Sequence, residues 1–152
     1  MNKRAIGLLK LYVCACIICM LMIIGGMTAR AKTVNTSEVV SYMNELRKEM
    51  GLPAFTVSES LNQSAAVRAK ELKVKFAHTR PDGTAWYTVG QGVNGENLAR
   101  ADKESEKESL NIIAAWFLSP SHKANLLSSS TQIGIASFED ENGYAYIACE
   151  FN

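Results

Sequence analysis

Residues 132–151 read QIGIASFEDENGYAYIACEF, and this stretch decides the class of fold. Ile133 to Phe138 and Tyr144 to Phe151 are strand-like, joined by Glu139-Asp140-Glu141-Asn142-Gly143. Asn-Gly between two such runs is a strong hairpin signal, because tight hairpin turns need a positive φ that these residues adopt at low cost. Both runs are apolar on both faces, with Ile135 beside Ala136 and Tyr146 beside Ile147. A sheet wetted on one face alternates apolar with polar, so this hairpin has to be covered on both sides.

The segments upstream supply the covers. Ser121 can cap a short helix carrying His122 to Leu127, and Ser119-Pro120 ends the helix before it. That longer helix opens in the charged run from Asp102 to Glu108 and continues through Leu110, Ile113, Ala114 and Phe117. Two earlier helices are marked by apolar stripes at helical spacing. Asn35-Thr36-Ser37 caps the first, with Glu38 in its opening turn; Val39, Met43, Leu46 and Met50 form its stripe, and Gly51 and Pro53 stop it. Ser58 can cap the second, whose stripe is Leu61, Ala65, Ala69, Leu72 and Phe76. Pro81-Asp82-Gly83 reads as a turn, and Thr84 to Gly95 as a loop with one short strand. The expectation is an α+β domain, an α-β-α sandwich of about four helices packed around a small, mainly antiparallel sheet.

The N-terminus belongs to a different class of segment. Lys3, Arg4 and Lys10 precede an almost wholly apolar run, Leu11 to Ile24, and Ala29-Arg30-Ala31 follows Gly25-Gly26. Basic start, apolar middle and small-x-small end are the three parts of a secretory signal peptide. Residues 1–31 are therefore expected to be the signal and 32–152 a single secreted, extracytoplasmic domain, touching membrane only through the signal before cleavage. Removing 1–31 takes away four of the sixteen basic residues, leaving twelve against fifteen acidic ones, a net charge of −3. A mildly acidic domain with mixed charges offers no footprint for nucleic acid. It also takes away Cys14, Cys16 and Cys19, so Cys149 is left without a disulfide partner and reads as a small buried hydrophobe.

Two histidines are present, His78 and His122, both at helix-loop borders. Neutral imidazole is the commonest metal ligand and the usual proton shuttle near neutral pH. Glu96, after the flexible Gly95, is a third candidate, though two distant histidines define no metal motif by themselves. Glu71 reads as a solvated face residue and Asp82 as a turn former. Gly90-Gln91-Gly92-Val93-Asn94-Gly95 fits a dinucleotide-binding glycine pattern but lacks the βαβ context that pattern requires. The Ser119, Ser121 and His122 group lacks a nucleophile elbow and reads as capping. Trp116 reads as core, and Trp86 and Tyr87 as core or loop packing, with the rim of a ligand cleft as the alternative.

Five stretches, in order, carry a family resemblance. They are Arg68-Ala69-Lys70-Glu71-Leu72, Phe76-Ala77-His78-Thr79-Arg80-Pro81-Asp82-Gly83, Gly95-Glu96-Asn97-Leu98-Ala99, the run from Trp116 to Leu127, and Gln132-Ile133-Gly134-Ile135-Ala136. Together they resemble the CAP superfamily of cysteine-rich secretory proteins, antigens and pathogenesis-related proteins, in its compact bacterial form. The resemblance spans Ser37 to Phe151. It implies a cleft in which two histidines and two glutamates can hold a divalent cation. His78, His122 and Glu96 match three of these; the fourth place, three residues after Trp116, is Ser119.

Two imidazoles and one carboxylate with an open position would suit zinc. The leading expectation is a binding or effector module whose partial His-Glu-His cleft takes a small lipid-like or peptide ligand, or a weakly held cation. A metal-assisted hydrolase acting on peptide or cell-envelope substrates is the alternative. A structural, surface-interaction domain with a vestigial cleft is a third reading. Enzymatic activity stays open, with the missing glutamate at Ser119 weighing against it.

Overall fold

The computed structural model describes residues 34–102 and 108–152. The expected signal segment, 1–31, lies outside the described residues. Helix α1 (Thr36–Glu49) is followed by the two-residue strand β1 (Thr56–Val57) and helix α2 (Glu59–Val74). A single 3-10 turn at Trp86–Val89 leads to strand β2 (Gly95–Asp102). Helices α3 (Glu108–Leu118) and α4 (Pro120–Leu126) precede the hairpin β3 (Gln132–Glu139) and β4 (Tyr144–Phe151). The sheet order is β1-β3-β4-β2, antiparallel except where β1 pairs with β3. This is the expected α+β sandwich.

The hairpin forms as its turn chemistry dictates. Gly143 takes φ +82°, and Asp140 Oδ1 accepts from the backbone N–H of Asn142 and Tyr144. Its two faces then meet different helices. One buries Ile133, Ile135, Ile147, Cys149 and Phe151 against α1, α3 and α4, through Val39, Met43, Ile112, Trp116 and Leu126. The other packs Tyr146 and Ala148 on Ala69 and Leu72 of α2. Gly134 explains how closely α2 approaches: a Cβ there would lie 2.0 Å from the Leu61 carbonyl carbon, so only glycine lets strand and helix backbones meet.

Several local readings change. Both stripes run past their helices: α1 ends at Glu49 and α2 at Val74, leaving Met50 and Phe76 about half exposed. The Thr84–Gly95 loop holds the 3-10 turn instead of a strand, apart from one Thr79–Ala85 bridge. The strand lies further on, at Gly95–Asp102, and ends where the third helix was expected to open. Ser119, not Ser121, is the N-cap residue of α4, with Pro120 in its first turn. Cys149 is fully buried, and burial pushes its thiol well above the ordinary value, as a core residue requires.

Candidate functional site

The site grows outward from Arg68, a completely buried guanidinium on α2. Such a charge is tolerable only when paired and hydrogen-bonded on all sides. Arg68 Nε donates to Glu96 Oε2 at 2.6 Å, Nη2 to Glu96 Oε1 at 3.3 Å and to the Ala77 carbonyl at 2.8 Å, and Nη1 to Glu71 Oε2 at 2.8 Å. Glu71 in turn receives Arg80, with Nη2 to Oε1 at 2.6 Å. Arg80 first, then Arg68, holds the Glu71 carboxyl below the usual range against the opposing effect of burial. Glu71, expected on a solvated face, is thus the second carboxylate of a four-membered ion cluster.

The cluster fixes His78. Its Nδ1 lies 2.7 Å from Glu96 Oε1, while about half of the His78 side chain is open to solvent. Both Glu96 oxygens are therefore engaged from within the protein, and the Glu96 side chain has no exposure. Directly across the strand pair stands Glu150, also fully buried, and no described donor reaches either of its oxygens. Burial first, then the neighbouring Glu96 charge, pushes the Glu150 carboxyl up to about 9, with Arg68 pulling the other way. Glu150 is consequently a neutral acid near pH 7, beside the Glu96 carboxylate.

His122 arrives from the opposite wall. Asn97 on β2 donates to the His122 carbonyl at 3.1 Å, and Asn125 donates to Asn97 Oδ1 at 2.8 Å and to the Glu96 carbonyl at 3.2 Å. Arg47 of α1 ties down the far end of α4 by donating to the Leu126 carbonyl at 2.9 Å. The two imidazole rings face each other with centroids 6.4 Å apart and planes tilted by 49°. Burial, then the neighbouring His78, lowers the His122 pKa below the ordinary value. A cleft of about 530 Å³ runs from His122 along the edge of β2. Phe76, Leu98, Ala115 and Trp116 give it apolar walls, and Ser119 and Arg100 add polar groups. Trp116 is buried as core, its Nε1 donating to the Leu98 carbonyl at 2.9 Å, and holds the edge of β2 against α3.

A family model for the cysteine-rich secretory proteins matches residues 40–151. The chain belongs to the CAP family. The uncharacterized protein YkwD of Bacillus subtilis (strain 168) is 29% identical to it over 111 residues, covering 67% of this chain. This chain spans only 42% of that relative's length. Among solved structures, an outer surface protein from Borrelia burgdorferi superposes with a TM-score of 0.61 at 25% identity, covering 78% of this chain and 94% of its own. The structure of NaASP2 with Zn2+ superposes with a TM-score of 0.56 at 15% identity, covering 76% of this chain and 77% of its own, a likeness of fold alone.

The residues themselves decide how a divalent ion would fit. His78, Glu96 and His122 are neighbours, yet among the described residues no group of three His, Cys, Asp or Glu side chains could hold a metal ion. Glu96 directs its oxygens at Arg68 and His78, in the manner of a carboxylate that orients an imidazole instead of ligating. A three-ligand centre does not fit this arrangement. His122 lines the cleft, and the half-exposed His78 ring lies 6.4 Å from it, centroid to centroid.

Of these features, the sequence pointed to His78, Glu96 and His122, while the roles of Arg68 and Glu150 went unread. A charged residue inside a helical stripe or a two-faced apolar strand is the signal that could have found them. Arg68 interrupts the stripe between Ala65 and Ala69, and Glu150 interrupts the run from Ala145 to Phe151.

Proposed function

We propose that this CAP domain is an exported binding module whose cleft beside His122 holds a small ligand, with at most a divalent cation loosely held by His122 and the nearby His78. One observation supports this reading above the rest: Glu96 is committed to Arg68 and His78, leaving a cleft with apolar walls and few polar groups. Clefts of this size and lining suit small organic ligands. Among the described residues no serine or cysteine is hydrogen-bonded to either imidazole, and Ser119 and Ser121 pair only with each other at 3.4 Å. An activated nucleophile needs such a base, so a hydrolase draws no support from these groups.

Zinc calorimetry on the domain beginning at Lys32 tests the reading. Binding should be weaker than at a closed four-ligand site, and it should be lost in both His78→Ala and His122→Ala. Zinc affinity indifferent to both substitutions would remove the imidazole pair from the account. Tight binding with a resident stoichiometric ion would make the site a metal centre instead.

A further inference from the structure

The two edges of the sheet are finished differently. On the β2 edge, side chains meet the outward carbonyls: Trp116 donates to Leu98 at 2.9 Å and Asn125 to Glu96 at 3.2 Å. The other edge stops short. β1 pairs with β3 only as Thr56 with Gln132 and Val57 with Ile133. Ser58 N–H then donates to the Ile133 carbonyl at 2.8 Å, and α2 carries the chain away from Glu59. β3 continues to Glu139, so residues 135–139 have β4 on one side and no strand on the other.

Hydrogen-bonding alternation shows which groups this edge presents. Gln132 exchanges both backbone bonds with Asn152, and Asp140 donates to Tyr144, so the even-numbered residues of β3 face β4. The odd-numbered ones turn outward, and the Ile135 N–H does so, donating to Asn62 Oδ1 at 3.0 Å. Among the described residues no hydrogen bond reaches the Ile135 carbonyl, the Ser137 N–H and carbonyl, or the Glu139 N–H. This set is self-complementary. A two-fold axis at Ser137 lays the edge antiparallel on that of a second copy. Each Ser137 N–H then meets the other Ser137 carbonyl, and each Glu139 N–H the other Ile135 carbonyl. The Glu139 carbonyl would face the Ile135 N–H, which Asn62 Oδ1 already occupies. The Asn62 Nδ2 protons, with no acceptor among the described residues, remain to serve it.

The side chains agree with that register. It sets Phe138 across from Ala136 on the α2 face, two partly buried apolar residues that gain cover from each other. It sets Glu139 across from Ile135, beside a cavity of about 210 Å³ where Thr36, Ser37 and Asn62 offer hydroxyl and amide donors to a carboxylate. The added strand also fits the open length: β3 ends at Glu139, opposite Ile135, two residues past the last β1 pair at Ile133. We propose that the domain forms a two-fold dimer through β3, joining the two sheets into one. An open edge is a ready template for such pairing, and the cleft, on the β2 edge, stays open in both copies.

Sedimentation velocity of the domain beginning at Lys32, run across a concentration series, tests this. The expected result is a monomer–dimer equilibrium. Ser137→Lys, which sets two like charges against each other on the axis, should weaken it about tenfold or more. Ser137→Cys should give an intermolecular disulfide under mild oxidation, because directly opposed Cα atoms about 5.5 Å apart lie within disulfide reach. Cys149 is buried and cannot compete. Ser121→Cys, exposed on α4, should stay unlinked under the same oxidation. Circular dichroism matching the wild type shows that each variant keeps its fold. A domain that stays monomeric up to about 1 mM overturns the proposal. So does a dimer indifferent to Ser137→Lys, or cross-linking through Ser121→Cys as fast as through Ser137→Cys, since either would place the contact elsewhere.

Discussion

His78 and His122 stand with ring centroids 6.4 Å apart but are held by different means. His78 is gripped through its own ring: Nδ1 meets Glu96, Glu96 is forked by Arg68, and Glu150 stands behind Glu96. His122 is positioned through its backbone, by Asn97 reaching its carbonyl and Asn125 supporting Asn97. The first wall is a buried charge network, sensitive to the loss of any member. The second is an amide network on a short helix, with its ring left to the cleft. Fixed charge in this domain thus goes into building the site, and the chemistry offered to a ligand comes from the few groups left over.

The contrast predicts unequal damage. Arg68→Ala should be the most harmful change, because it strands Glu96 and Glu71 with no guanidinium between them. Breaking a buried pair from one side costs about 3–5 kcal/mol, measurable by urea denaturation of the domain beginning at Lys32. A loss below about 1 kcal/mol, the range of exposed pairs, would mean that the cluster is solvated and the two walls are alike.

Glu150→Gln comes next, with a sign that depends on pH. The folded carboxyl titrates at about 9, against an ordinary 4.5, so the folded state keeps a proton that the unfolded state releases. Stability should therefore fall as pH rises between those two values, by roughly 2–4 kcal/mol from pH 5 to pH 8. His122 works the other way. Its lowered pKa means that the unfolded state takes up a proton first, so its contribution is complete above about 6.5, the ordinary histidine value, and is lost as pH falls below it. Glutamine keeps the shape but cannot ionise, so the variant should lose the decline between those two values and keep the acid one. Identical pH profiles for the two proteins would show that Glu150 does not hold its proton.

The unequal walls also explain what was legible beforehand. The hairpin, both long N-terminal helices and the cover on both sheet faces follow from period and turn chemistry, because burial there is apolar and repeats regularly. Strand β2 escaped notice because Gly95–Asp102 contains no β-branched or aromatic residue. It becomes a strand by pairing with β4 along its whole length, from Gly95 with Phe151 to Asp102 with Tyr144. His78 and His122 stood out because they are the two histidines of the chain. Glu71 was misread, and Arg68 and Glu150 passed over, for one reason: the partners that make a buried charge tolerable come from distant elements. Arg68 and Glu96 are 28 residues apart, and no local pattern brings them together.

The central claim is that Glu96 acts on His78 and not on the contents of the cleft. The tautomer of His78 tests it most directly. A carboxylate at Nδ1 holds the neutral ring with its proton on Nδ1, leaving the Nε2 lone pair as the acceptor. Long-range nitrogen-proton correlation spectra of the 15N-labelled domain, recorded at mildly alkaline pH where imidazole is neutral, distinguish the two forms. The account predicts an Nδ1-protonated His78. A His78 protonated on Nε2 would contradict it, returning Glu96 to the cleft as a free carboxylate.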